Sequence, residues 1–204
     1  MRRSLIALAA ALAVLAIPAA ASADLKLHGT AGRANPPDYK VLGNGKAAQA
    51  QWTNKQAETG KFSMLLQKSA PTTDYVYAAA LVKGVEGTTV AQLGNIGLSS
   101  KAVCNAGSPR FNLEYDNNGD GVSDGIAFYG CGNHDTGTVN GWHHMLADAS
   151  VPDSCYAFDP PFSACTLTDT STVTSLAVIV DEQGTYYVDN VIAAGQTVGE
   201  PNGS

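Results

Sequence analysis

Residues 110 to 129 read Arg110-Phe111-Asn112-Leu113-Glu114-Tyr115, then Asp116-Asn117-Asn118-Gly119-Asp120-Gly121-Val122-Ser123-Asp124, then Gly125-Ile126-Ala127-Phe128-Tyr129. Two short runs rich in aromatic and apolar side chains flank a segment dense in Asn, Asp and Gly, which is the pattern of two strands and a turn. The same kind of run recurs at 61 to 67, 75 to 82, 173 to 180 and 185 to 193, with Gly, Asn, Asp and Pro between. The chain therefore reads as all-β. Val173-Thr174-Ser175-Leu176-Ala177-Val178-Ile179-Val180 alternates only in part, and its continuous apolar end predicts a strand covered on both faces. Only Ala47 to Ala57 has a helix-favouring composition, and Trp52 within it suits a core-facing strand equally well.

The oxygen-rich loop is the one place where residue type and spacing specify a chemistry. Asp116, Asn118, Asp120 and Asp124 stand at the first, third, fifth and ninth places, with Gly121 at the sixth and the carbonyl of Val122 at the seventh. This is the spacing of a calcium-chelating turn. The twelfth place, where an EF-hand carries a bidentate Glu, is Ala127, so the expected site is weak and caps a hairpin. The alternative is a long polar turn in which Asn-Gly and Asp-Gly supply positive φ angles and the acids are only solvated.

Residues 1 to 23 have the form of a secretory signal: Arg2 and Arg3, an apolar run from Leu5 to Ile17, and Ala21-Ser22-Ala23 as the cleavage site. Residues 24 to 195 form the expected single domain and 196 to 204 a flexible tail. No later run is apolar for the ~20 residues that a spanning helix needs. An extracellular location makes disulfides the expected state of the four cysteines. Of three possible pairings, Cys104 with Cys131 and Cys155 with Cys165 are favoured. The first ties the ends of the segment bearing the acidic loop, and the second closes a short loop around Pro160-Pro161.

Charge divides the chain. Residues 24 to 110 hold ten basic and five acidic side chains, and 111 to 204 hold thirteen acidic and none basic, so the mature net charge is 10 − 18 = −8. A nucleic-acid partner is excluded on this balance, because its affinity rests on cationic contacts to phosphate. A sandwich that interleaves the two halves hides the asymmetry, and one that keeps them apart displays an acidic face.

Gly60-Lys61-Phe62-Ser63-Met64-Leu65-Leu66-Gln67-Lys68, and the late run ending Tyr186-Tyr187-Val188-Asp189-Asn190-Val191, resemble strands of jelly-roll carbohydrate-binding modules with a galactose-binding-like sandwich. The middle of the chain, with Ser108-Pro109-Arg110-Phe111-Asn112 followed by Tyr129-Gly130-Cys131, is similar in style to secreted proteins of high-GC Gram-positive bacteria. The resemblance implies a jelly-roll β-sandwich, a binding role toward polysaccharide or cell-envelope glycan, and a second calcium position at Asp189, with Asp24 as the nearest partner acid. Aromatic faces stack on sugar rings, so Tyr129, Trp142, Tyr75 and Tyr77 are the candidate binding residues.

Catalytic constellations are sparse. Glu114 and Asp116 lie two apart, on one face of a strand, as a glycosidase carboxylate pair would. The enzyme alternative is therefore a calcium-dependent glycan hydrolase using Glu114. A third reading is a structural or protein-interaction component. His143 and His144 are adjacent, so on a strand they point to opposite faces and cannot hold one ion together. His134 lies in the Gly-rich loop nearby. Gly97-Leu98-Ser99-Ser100-Lys101 lacks the second glycine of a nucleophile elbow, and no phosphate-binding glycine loop is present.

Overall fold

The structure, a computed structural model, describes residues 25–35, 38–41, 47–71, 76–101 and 103–198, with the backbone alone for 30–35 and 38–41. The proposed signal segment, Asp24 and Tyr75 lie outside the described residues. In chain order the strands are β1 (Lys26–Asn35), β2 (Asp38–Val41), β3 (Ala48–Thr53), β4 (Ser63–Lys68), β5 (Val76–Lys83), β6 (Asn95–Lys101), β7 (Arg110–Asp116) and β8 (Gly125–Gly130). There follow β9 (Asp135–Val139), β10 (Trp142–Asp148), β11 (Ser154–Ala157), β12 (Thr172–Val180), β13 (Gly184–Ala193) and β14 (Gln196–Thr197). One helical turn, Val90–Leu93, precedes β6 and is closed by a capping box between Thr89 and Gln92.

Two antiparallel sheets face each other in a jelly-roll β-sandwich. The first has the order β11-β8-β7-β12-β5-β1-β2, and the second β3-β4-β13-β6-β10-β9 with β14 added on β13. Phe111, Leu113 and Tyr115 of β7 and Ala127 and Tyr129 of β8 meet Met64 and Leu66 of β4, Ile96 and Leu98 of β6 and Met145 of β10 in one core. Each large apolar side chain so enclosed contributes about 1.5–3 kcal/mol. β12 is central in its sheet, between β7 and β5. Its Leu176, Val178 and Val180 join the core, and Ala177, of opposite parity, is buried as well. Ile179, on the outer face with Ala177, is only half-buried, so the covering of both faces that the continuous apolar run predicts is met at Ala177 alone.

Ala48 to Thr53 is a strand, with Ala48 and Ala50 inward and Trp52 packed partly against the core. Both disulfides pair as expected, Cys104 with Cys131 and Cys155 with Cys165. The fold runs past residue 195. The Val198 N–H donates to the Val191 carbonyl at 2.7 Å and its side chain is buried, so residues 196–198 belong to the sandwich. Nor are the charge halves interleaved in the first sheet. Its run β11-β8-β7-β12 contains only strands from Arg110 onward, and Arg110 is the last cation in the chain.

Candidate functional site

Strand alternation in β8 separates two adjacent aromatic residues. Ala127 and Tyr129 are fully buried, whereas Ile126 and Phe128 are half-buried on the outer face. Phe128 pairs with Asn112 on β7 and Ser154 on β11. Its ring lies 6.1 Å from that of Tyr156, edge-on, and Tyr156 lies 6.2 Å from Phe162 in the same manner. The three rings form a row across β8, β11 and the turn closed by Cys155–Cys165. Phe162 is 84% exposed and Tyr156 41%.

At its other side the row meets a depression of about 370 Å³, lined by Phe128, Arg110, Asn133, Asp153 and Ser154 together with Ala106, Gly107 and Gly130. Gly130 is required there, since a Cβ would collide with the Ala106 carbonyl oxygen. The Arg110 guanidinium sits 5.7 Å from the Phe128 ring and donates to both Asp181 oxygens, each at 2.7 Å. Burial alone would raise the Asp181 carboxyl, but the hydrogen bonds and charge of Arg110 outweigh it and hold it below the usual carboxylate range. Asp153 accepts the Gly130 N–H at 2.6 Å, and its other oxygen lies 3.1 Å from His134 Nε2. A ring face, fixed charges and short polar side chains thus converge on one open surface.

The expected aromatic residues that the structure describes, Tyr129, Trp142 and Tyr77, lie elsewhere. Tyr129 is in the core; its hydroxyl donates to the Ala149 carbonyl, and burial pushes its phenol well above the usual value. Trp142 is 4% exposed, with Lys101 Nζ 5.5 Å from its ring centroid. Neither ring can face a sugar. Tyr77 is half-buried on β5, apart from the row. The signal for the exposed set is faint: Phe128 is indistinguishable from Tyr129 until the parity of β8 is known, and Phe162 belongs to no strand.

The acidic loop has its own internal order. Asp116 is buried and accepts N–H groups from Asn118 and Gly119 on one oxygen and Gly121 on the other. The amides of Gly121 and Gly119 hold its carboxyl below the usual value. Asp124 accepts the Asn117 N–H, and Asp120 the Val122 N–H. Gly119 and Gly121 take φ of 80° and 81°, the left-handed turn conformation. Carboxylates, an amide oxygen and a carbonyl are the donors that calcium accepts. Among the described residues, however, Asp116, Asp120 and Asp124 do not form a group converging within coordinating distance.

The remaining candidates are engaged separately. Glu114 accepts the Ser123 hydroxyl at 3.0 Å, while the Asp116 carboxylate accepts amides of the loop. His143 Nδ1 meets Asp135 at 2.8 Å, whereas His144 Nε2 meets Glu58 at 2.8 Å, on different partners as adjacent strand residues require. Cys104, Asp135 and His143 bring ligand-type atoms together, but the Cys104 sulfur is in a disulfide and offers no thiolate. Asp189 accepts the N–H groups of Glu58, Thr59 and Asn190, and burial raises its carboxyl. It straps the 54–62 loop to β13.

No protein-family model and no curated protein matches the chain. Among solved structures, it is similar to a family 11 carbohydrate-binding module from Clostridium thermocellum in complex with a β-1,3-1,4-mixed-linked tetrasaccharide, at TM-score 0.47 and 15% identity over 86% of this chain and 91% of that one. It is also similar to a family 30 carbohydrate-binding module, at TM-score 0.43 and 13% identity over 76% of each chain. A xylan-binding domain of family 22 gives TM-score 0.38 and 15% identity over 86% and 90%. Likenesses this distant carry no argument about ligand, and the sandwich is read from the chain's own strand pairings.

Proposed function

We propose that the protein is a secreted, non-catalytic module that binds a polysaccharide or cell-envelope glycan on the outer face of β8 and β11. The observation that carries this reading is the outward-facing row of half-buried Phe128 and exposed Tyr156 and Phe162 running into a polar depression. Sugar rings present apolar C–H faces with hydroxyl rims, which match aromatic rings bordered by carboxylate, amide and hydroxyl groups. Phe162 adds weight. It holds φ at 59°, unfavourable for a bulky residue, while leaving its ring in water, so the fold gains little from it. Two disulfides and a leader-like first segment support secretion. Among the described residues no helix is long and apolar enough to cross a membrane.

Retention on insoluble glycans tests the reading. Alanine at Phe128, Tyr156 or Phe162 is expected to weaken retention about 2- to 12-fold each. Unchanged retention of the triple variant would overturn the site.

Calcium at the 116–124 loop is the finer part of the proposal. Asp116, Asn118, Asp120, the Val122 carbonyl and Asp124 would hold it once their carboxylates turn in from the separate loop amides they accept, and its effect would be to stiffen the hairpin. Millimolar calcium added to chelated protein is then expected to raise Tm, and an unmoved Tm removes the ion from the account.

A further inference from the structure

The charges around the depression lean acidic. Arg110 is the cation lining it, and both of its terminal nitrogens are bound by Asp181. Against it stand Asp181, Asp153 in the lining, and Glu182, which accepts the Asn105 amide at 2.7 Å and lies beside Gly107. With Lys68, whose ammonium donates to the Asp181 carbonyl at 2.8 Å, two positive and three negative groups leave a formal charge of −1, apart from His134 on Asp153. The strands that build the surface come from Arg110 onward, so the 111–204 half adds no lysine or arginine to it. Asp159 stands in the turn that bears Phe162.

Resting on the binding-module reading above, we infer that the glycan is cationic: a polymer of partly N-deacetylated amino sugars. Its ring faces stack on Phe128, Tyr156 and Phe162, and its ammonium groups meet Asp153 and the carboxylates beside it. Asp153 accepts one N–H and contacts one imidazole, and a carboxylate has about four acceptor positions, so it can take an ammonium without losing either contact. A uronate polymer would bring its carboxylates to the same acids, with Arg110 already engaged. A neutral glycan would use the rings and leave the field without a partner.

Matched soluble ligands decide this. A glucosamine oligosaccharide, its fully N-acetylated counterpart, a neutral β-glucan and an oligogalacturonate are titrated into the purified protein by calorimetry. At about 0.1 M salt the glucosamine oligomer is expected to bind roughly tenfold more tightly than the acetylated one. The ratio should fall toward one at about 1 M, where the Debye length shrinks from ~10 to ~3 Å. Asp153→Asn is expected to lower that ratio, and the galacturonate should not bind. Equal or tighter binding of the acetylated oligomer, or preference for neutral glucan, overturns the cationic ligand while leaving a glycan module in place. Undiminished glucosamine binding by the Phe128, Tyr156, Phe162 triple alanine variant also overturns it, because the contact is then adsorption to an acidic surface. Binding of none of the four overturns both readings.

Discussion

Phe128 and Tyr129 are consecutive aromatic residues on one strand with opposite fates. Tyr129 closes the core, with its hydroxyl on the Ala149 carbonyl, and Phe128 lies on the outer face between Arg110 and Tyr156. The difference lies in pleat parity rather than in residue type. Aromatic content therefore measures neither core nor binding surface until each ring has been assigned a side. On this division the inner ring is expected to govern stability and the outer rings the proposed glycan contact. Tyr129→Ala is the largest effect expected: a cavity and an orphaned carbonyl costing about 3–5 kcal/mol, read as a lower midpoint in urea. A stable Tyr129→Ala protein that had lost only glycan retention would reverse the assignment.

The next effect concerns what holds the outer rings in place. Replacing Cys155 and Cys165 with serine opens a loop with a sequence separation of 10, and is expected to cost about 2–3 kcal/mol through the freed unfolded chain. It should also weaken retention, since Phe162 rides on that loop. Loss of stability with retention intact would show that Phe162 needs no preorganisation.

A smaller effect separates the polar rim from both sets of rings. Asp181→Asn removes a partner of Arg110 that is 39% exposed at its side chain, so about 1 kcal/mol is expected at neutral pH. The folded carboxyl lies below the unfolded value of about 3.9. Its stabilisation is therefore complete above that value and is lost as pH falls through the lowered one. The Tm gap between wild type and variant should hold from neutral pH downward and close only in strong acid. A gap that closed near neutrality would remove the ion pair from the account.

Much of the sandwich is legible in the sequence because its inner strands carry continuous or aromatic apolar runs. Those at 110 to 115, 126 to 129, 173 to 180 and 185 to 193 are β7, β8, β12 and β13. The hairpin of β9 and β10 is harder to read, although Asn140-Gly141 takes φ of 53° and 78°, the signature of a two-residue I′ turn. β9 is exposed throughout and gives no apolar period to follow. The acidic loop is legible as a hairpin cap, but the amides that hold Asp116 arise from a local winding that spacing does not encode. The outer aromatic row is illegible for a further reason. It joins residues on two paired strands and a disulfide-closed turn, and only the β8–β11 register brings them together.

The smallest stability change is the most discriminating. Phe162 is 84% exposed and its backbone is left-handed, so Phe162→Ala removes little buried surface and should shift stability by no more than about 0.5 kcal/mol. Phe162→Gly would relieve the φ of 59° as well, and is expected to be neutral or slightly stabilising. Both variants should lose glycan retention by a similar factor, because each lacks the ring. Measured together they separate the ring from the backbone that presents it. Retention lost in both with Tm unmoved identifies the ring as a contact residue. Retention kept in both would return Phe162 to an ordinary exposed turn and confine the binding surface to Phe128, Tyr156 and the depression beside them.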